Sequence, residues 1–151
     1  QITTTTTHTT RSTPGAAHVP ARRPAVYAAT KHAVNLTWIA HVTARHGWTY
    51  IEHGSVTGPP IGSATVILQA RLTASGVTTL FTIGGSGGSI TGRSETAVHL
   101  SSGSVLYRGT ASLNGGTGRY RHLRLSQLTV TGKGNLKGSQ TVLILAGSAS
   151  Y

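Results

Sequence analysis

Two glutamates, Glu52 and Glu95, are the only acidic side chains in a chain of 151 residues, and there is no Asp. A carboxylate pair for general acid–base catalysis would require these two to meet by folding. Glu95 has a simpler fate. It alternates with Arg93, which predicts an outward-facing ion pair of small energetic weight. Glu52 follows Tyr50 and precedes His53. A Glu–His pair near a barrel mouth has the makings of a general base, but the plainer reading is a solvated strand end. Fifteen Ser leave a Ser/His/acid triad open without pointing to one. No residue is assigned a catalytic role, and the chain reads as a non-enzyme.

Eight histidines raise metal binding next. His8, His18, His32, His41, His46 and His53 never fall at HxH, HxxxH or HExxH spacing, and acidic co-ligands are scarce. With no Cys, thiolate metal sites, disulfides and iron–sulfur clusters are excluded. Gly132-Lys133-Gly134 lacks the spacing and the Ser or Thr of a phosphate-binding loop. No metal or cofactor is expected.

The most pointed polar motif is Gly115-Gly116-Thr117-Gly118-Arg119-Tyr120. Consecutive glycines permit positive φ, and the amides of such a turn can line an anion-binding concavity. Gly116 and Gly118, with Arg119, Arg121 and Arg124 beside them, are therefore candidates for holding a sulfate, phosphate or carboxylate. The alternative is a hairpin whose Tyr120 packs inward while Arg119 and Arg121 point to solvent.

The net charge is +11, with pI near 11.5. It predicts attraction to polyanions, anionic cell-surface polymers among them. The basic residues are spread along the chain rather than clustered with stacking aromatics, which disfavours a nucleic-acid reader. No apolar run approaches the roughly 20 residues of a membrane helix.

The elements that must position these residues are strands. Val34, Leu36, Trp38, Ala40 and Val42 fall on one face and Asn35, Thr37, His41 and Thr43 on the other, with Ile39 an exception, the period of a half-buried strand. Further alternating runs cover 64–73, 77–83, 90–100, 105–113, 123–131 and 141–146, with Gly-rich turns between them. The last is apolar on both faces and reads as central. Seven or eight strands with no helix signal mean an antiparallel sandwich or barrel. Gly92 and Gly109, falling at inward positions, favour a closed barrel through tight curvature or close backbone approach. The fold class is all-β, an antiparallel barrel of about eight strands over 34–151, preceded by an extended Thr/Pro-rich arm over 1–33.

The Gly115–Tyr120 hexapeptide resembles the GGTG-(R/K)-(Y/F) turn of dirigent and allene-oxide-cyclase-like barrels. Gly58-Pro59-Pro60-Ile61-Gly62 and the Gly-rich stretch near 84–89 fall in the order that those barrels show. The resemblance spans about residues 54–146. It implies an eight-stranded antiparallel barrel with a central cavity, in a family with secreted members that guide coupling or cyclisation of small molecules. It does not reach residues 1–33. The family's chemistry relies on cavity acids, and Glu52 and Glu95 match none of its motifs, so no catalytic residue is carried over.

The arm opens Gln1-Ile2-Thr3-Thr4-Thr5-Thr6-Thr7-His8-Thr9-Thr10, and Pro14, Pro20 and Pro24 follow. β-Branched Thr favours extended backbone but supplies almost no apolar surface to fold around. Ile2, Thr3, Thr4, Thr5, Thr6, Thr7, His8, Thr9 and Thr10 are therefore expected to borrow hydrogen-bond partners by adding a strand to a neighbouring subunit, giving a homo-oligomer or polymer. The chain starts at Gln1 and contains no Met, so it reads as processed or incomplete. A removed signal peptide would place it outside the cell or at its surface. The reading that follows is a secreted structural barrel that self-assembles into a filament or surface array; the alternatives are a dirigent-like barrel binding a small apolar or aromatic ligand and a basic module for anionic polymers.

Overall fold

A computed structural model of the protein describes residues 15, 17, 20–23, 28–135, 137 and 139–151. The expected assembly strand, residues 2–10, lies outside the described residues.

Eight strands follow one another: β1 (Lys31–His46), β2 (Thr49–Gly58), β3 (Gly62–Thr73), β4 (Gly76–Gly85), β5 (Gly88–Ser101), β6 (Ser104–Gly116), β7 (Ser126–Asn135) and β8 (Gln140–Ser150). A single 3-10 turn, Gly118–Tyr120, lies between β6 and β7. Each strand pairs antiparallel with its sequence neighbours, and β8 returns to β1 from Lys31↔Ser150 to His41↔Gln140, closing a barrel. The barrel thus begins three residues before the expected boundary at 34. No helix among the described residues is long and apolar enough to cross a membrane.

Closure corrects one expectation about the strands. The run around Val142–Ala146 is apolar on both faces, but a barrel has no central strand. Leu143 and Leu145 point inward and are buried, whereas Ile144 is exposed on the outside. Closure also bears on assembly. With every strand paired on both sides, the ring presents no open edge of the kind that strand addition uses.

Because hairpins alternate between the two ends, each end has its own chemistry. At one end the turns are Gly47-Trp48, Ala74-Ser75, Ser102-Gly103 and the β7–β8 connection. Ser102 and Gly103 both take positive φ, 45° and 81°, the backbone of a two-residue hairpin turn that follows strand twist. At the other end lie Pro59-Pro60-Ile61, Ser86-Gly87 and the long β6–β7 connection.

That second end is shut. Leu36, Trp38, Val56, Phe81, Ile83 and Leu113 fill the interior above it, each 3% exposed or less. Trp38 meets Phe81 edge-on at 5.1 Å between ring centroids. Gly92 makes this possible, because a Cβ there would collide with the Phe81 ring. Gly109 serves close approach of another kind, its α-carbon lying against the Glu95 carbonyl of the next strand. Tyr120 then plugs the barrel from the 3-10 turn, 2% exposed and edge-on to Tyr151 at 5.1 Å.

Candidate functional site

The opposite end is open. Several of its interior positions carry small or polar residues, and a cavity of about 290 Å³ results. That is near the lower bound of small-molecule sites, roughly 300–1,000 Å³. β7 contributes little to the filling, because its inward positions include Gly132 and Gly134. Leu143 of β8 leans over Gly132, and Tyr107 of β6 leans over Gly134, where a Cβ would stand 3.2 Å from the ring. Both side chains thus lie along the wall rather than across the axis. On other strands the small or polar positions Ala70 of β3, Thr79 of β4 and Thr96 of β5 leave further room between their apolar neighbours.

The apolar lining comes from Val42, Leu68, Leu72, Val77, Val98 and Val105, and Asn135 and Gln140 supply amides on the β7–β8 side of the mouth. One carboxyl enters this pocket, that of Glu52, only 8% exposed. Strand register explains why. Glu52 pairs with Val42 on β1 and Leu68 on β3, so it shares their inward face. Beside Val42 the β1–β2 register shifts at a bulge before Ala44, a feature common at barrel rims and near binding sites. Glu52 is therefore not the solvated strand end read from the sequence, and the correction follows from β2 itself. Its inward series, Tyr50, Glu52, Gly54 and Val56, puts a carboxylate and a glycine where alternation demands apolar residues, so no strand was predicted there. The signal that was available is the neighbouring Tyr50-Ile51 together with two turn glycines, Gly47 and Gly58, at hairpin spacing.

Burial pushes the Glu52 carboxyl above the usual carboxylate range, opposed by the Thr141 hydroxyl and by positive charge at His41 on the outer face. Tyr107 responds to the same surroundings. Burial and the negative charge of Glu52 push its phenol up, while the Thr141 hydroxyl pulls it down. Glu52 of β2, Tyr107 of β6 and Thr141 of β8 thus form one polar cluster in the pocket. Immediately beneath, the buried Trp38 Nε1 and Ser94 Oγ have no hydrogen-bond partner among the described residues. By register Trp38 adjoins Leu143, and Ser94 adjoins Thr79, both pocket residues.

The other sequence candidates fall elsewhere. Glu95 lies on the outer face and pairs with Arg93 at 2.6 Å, so the two carboxylates do not meet. His41 and His53 are cross-strand neighbours on the outer surface, and the His41 Nδ1 lies 3.2 Å from the Ser139 carbonyl. Among the described residues no group of three His or Glu is arranged to hold a metal ion. A pattern that the sequence reading passed over, Gly84-Gly85-Ser86-Gly87-Gly88, has G-x-S-x-G spacing, but it forms the β4–β5 hairpin rather than the strand-to-helix elbow that exposes a nucleophile.

Gly116, Gly118, Arg119, Arg121 and Arg124 all gather at the shut end. Five amides there are already engaged: Thr117 donates to Ser89 O, Arg119 to Gly87 O, Tyr120 to Thr117 O, Arg121 to Gly118 O and Arg124 to Ser150 O, at 2.8–3.2 Å. Gly118 takes φ +59°, and a Cβ on Gly116 would stand 2.7 Å from that of Tyr120. Both glycines thus let the turn fold Tyr120 inward. The Arg119 guanidinium lies over the Tyr120 ring at 4.8 Å and donates to the Pro60 carbonyl at 2.8 Å and to the Tyr120 hydroxyl. These contacts give the turn a structural task, closing the barrel end. Arg121 Nε donates to His122 Nε2 at 3.0 Å.

No protein-family model, curated protein or solved structure matches the chain.

Proposed function

We propose that this barrel binds a small, mainly apolar molecule in the pocket at its open end. The observation that carries the reading is the asymmetry of the interior: one half is packed and plugged by Tyr120, while the other is left hollow, open and walled largely by Val and Leu, with Glu52, Tyr107 and Thr141 among its polar groups. A barrel needed only as a rigid unit gains stability by filling such a space, since unfilled volume forfeits packing contacts. A few placed polar groups in an apolar concavity are also how small-molecule sites fix orientation. The dirigent-like resemblance implies a ligand of the same kind, apolar or aromatic.

The test is saturable binding of naphthol, a neutral aromatic fluorophore with one hydroxyl, to the purified protein. Naphthol is expected to bind with one-to-one stoichiometry, and Ala70→Phe, which places a ring in the hollow, should abolish binding while leaving the circular dichroism spectrum unchanged. Naphthol binding that survives Ala70→Phe, or no binding to the parent protein, overturns the reading.

A further inference from the structure

The charge inside the pocket has the opposite sign to the charge of the chain. Among the described residues, none of the Lys or Arg that make the protein basic lines the cavity. The ionisable groups that do are Glu52, Tyr50 and Tyr107. Glu52 is buried between Val42 and Leu68. The charged and titratable groups around it are His41, on the outer face of β1, Tyr107 across the pocket, and Arg45, which stacks on the Tyr50 ring at 5.2 Å. The pocket thus holds one carboxyl and no cation of its own.

We propose that the pocket selects an organic cation: a protonated amine on a small apolar body, its ammonium directed at Glu52 and its hydrocarbon against the Val and Leu walls. This rests on the pocket being a ligand site and adds the class of ligand. The physical argument compares three ligands of one shape. A carboxylate would bring a second negative charge beside Glu52, with no Lys or Arg in the lining and only His41 on the outer face to offset it, and would be repelled. An alcohol offers a hydrogen bond but leaves the buried carboxylate without a counter-charge inside the pocket. An amine supplies the missing charge and a charge-assisted hydrogen bond in a partly dehydrated site, where such bonds are stronger. The Tyr107 ring, lying along the wall, adds an aromatic face to which cations are drawn. Thr141, already close to both Glu52 and Tyr107, is placed to accept from a second ammonium hydrogen. Selection for a cation would thus be local, against the repulsion that the +11 net charge exerts at long range.

The experiment measures octylamine, octanol and octanoate, equal in chain length, by displacement of naphthol and by calorimetry at neutral pH. Octylamine is expected to bind about tenfold or more tightly than octanol, the difference between a charged and a neutral hydrogen bond, with octanoate weakest. In Glu52→Gln, nearly the same shape without the charge, the amine-to-alcohol ratio measured by calorimetry should collapse to about one. On the unmodified protein, lowering pH through the Glu52 titration should weaken octylamine and leave octanol unchanged. This arm needs no variant to fold. If naphthol binds but octylamine is no tighter than octanol, or if Glu52→Gln keeps the preference, the cation assignment is wrong and the pocket stands. If naphthol does not bind at all, the pocket reading fails and the cation assignment falls with it.

Discussion

Replacing Tyr120 with Ala tests whether the Gly-rich turn is a plug. The side chain is 2% exposed, stands edge-on to Tyr151 at 5.1 Å, and is covered by the Arg119 guanidinium at 4.8 Å. Truncating a buried aromatic to Ala costs roughly 3–5 kcal/mol. Collapse to refill the hole is restrained here, because the Gly116 backbone and the Arg119–Pro60 hydrogen bond hold its rim. Water can enter from the barrel end, however, which places the cost near the low end, about 3 kcal/mol. For a barrel of this size each kcal/mol corresponds to roughly 3–5 °C in Tm, so a fall of about 9–15 °C is expected. Tyr120→Phe keeps the ring and loses only the hydroxyl's bond to Arg119, at about 1 kcal/mol. Guanidinium chloride unfolding at constant m-value, followed by circular dichroism, measures both. A loss below about 1 kcal/mol for Tyr120→Ala, or equal losses for Ala and Phe, would refute the plug argument.

Further outcomes follow from the same interior. Glu52 holds its proton to higher pH when folded than when unfolded, so its contribution to stability is best below the unfolded value near 4.5 and declines as pH rises through the raised one. Glu52→Gln should therefore be more stable than the parent at neutral pH, with the gain disappearing at pH 4 and below; denaturation at several pH values checks this. The two tryptophans differ sharply, Trp38 being 0% and Trp48 69% exposed. Trp48→Phe should leave a blue-shifted emission that acrylamide scarcely quenches, whereas a readily quenched residual would contradict the packed half of the barrel. Since the ring closes from Lys31 to Ser150, deleting residues 1–24 should leave one cooperative unfolding transition with an unchanged midpoint, measurable by calorimetry.

Much of the architecture is written in local pattern. Val34–Val42 alternate so regularly that both the strand and its inward face can be read directly, and Trp38 does sit in the core. Inward Gly92 and Gly109 speak for tight curvature because a missing Cβ has few other uses inside a strand. Arg93 and Glu95, two apart in a strand, must share a face, and they pair there. All of this depends on period two alone, which neighbours in sequence suffice to set.

The pocket was not legible in that way. Period two says which residues face inward but not whether the space between opposite walls is filled, because that depends on residues far apart in the chain. Trp38 and Phe81 meet over Gly92, whereas Ala70, Thr79, Thr96, Gly132 and Gly134 leave a hollow. Glu52 was hidden for the same reason. A carboxylate between Ile51 and His53 looks like surface until pairing with Val42 and Leu68 turns it inward. Local sequence therefore determined the strands, their faces and the basic exterior. Closure of the ring decided which end was plugged and which stood open, and set a lone acid inside a cationic protein, because only closure brings the eight inward faces to a common axis.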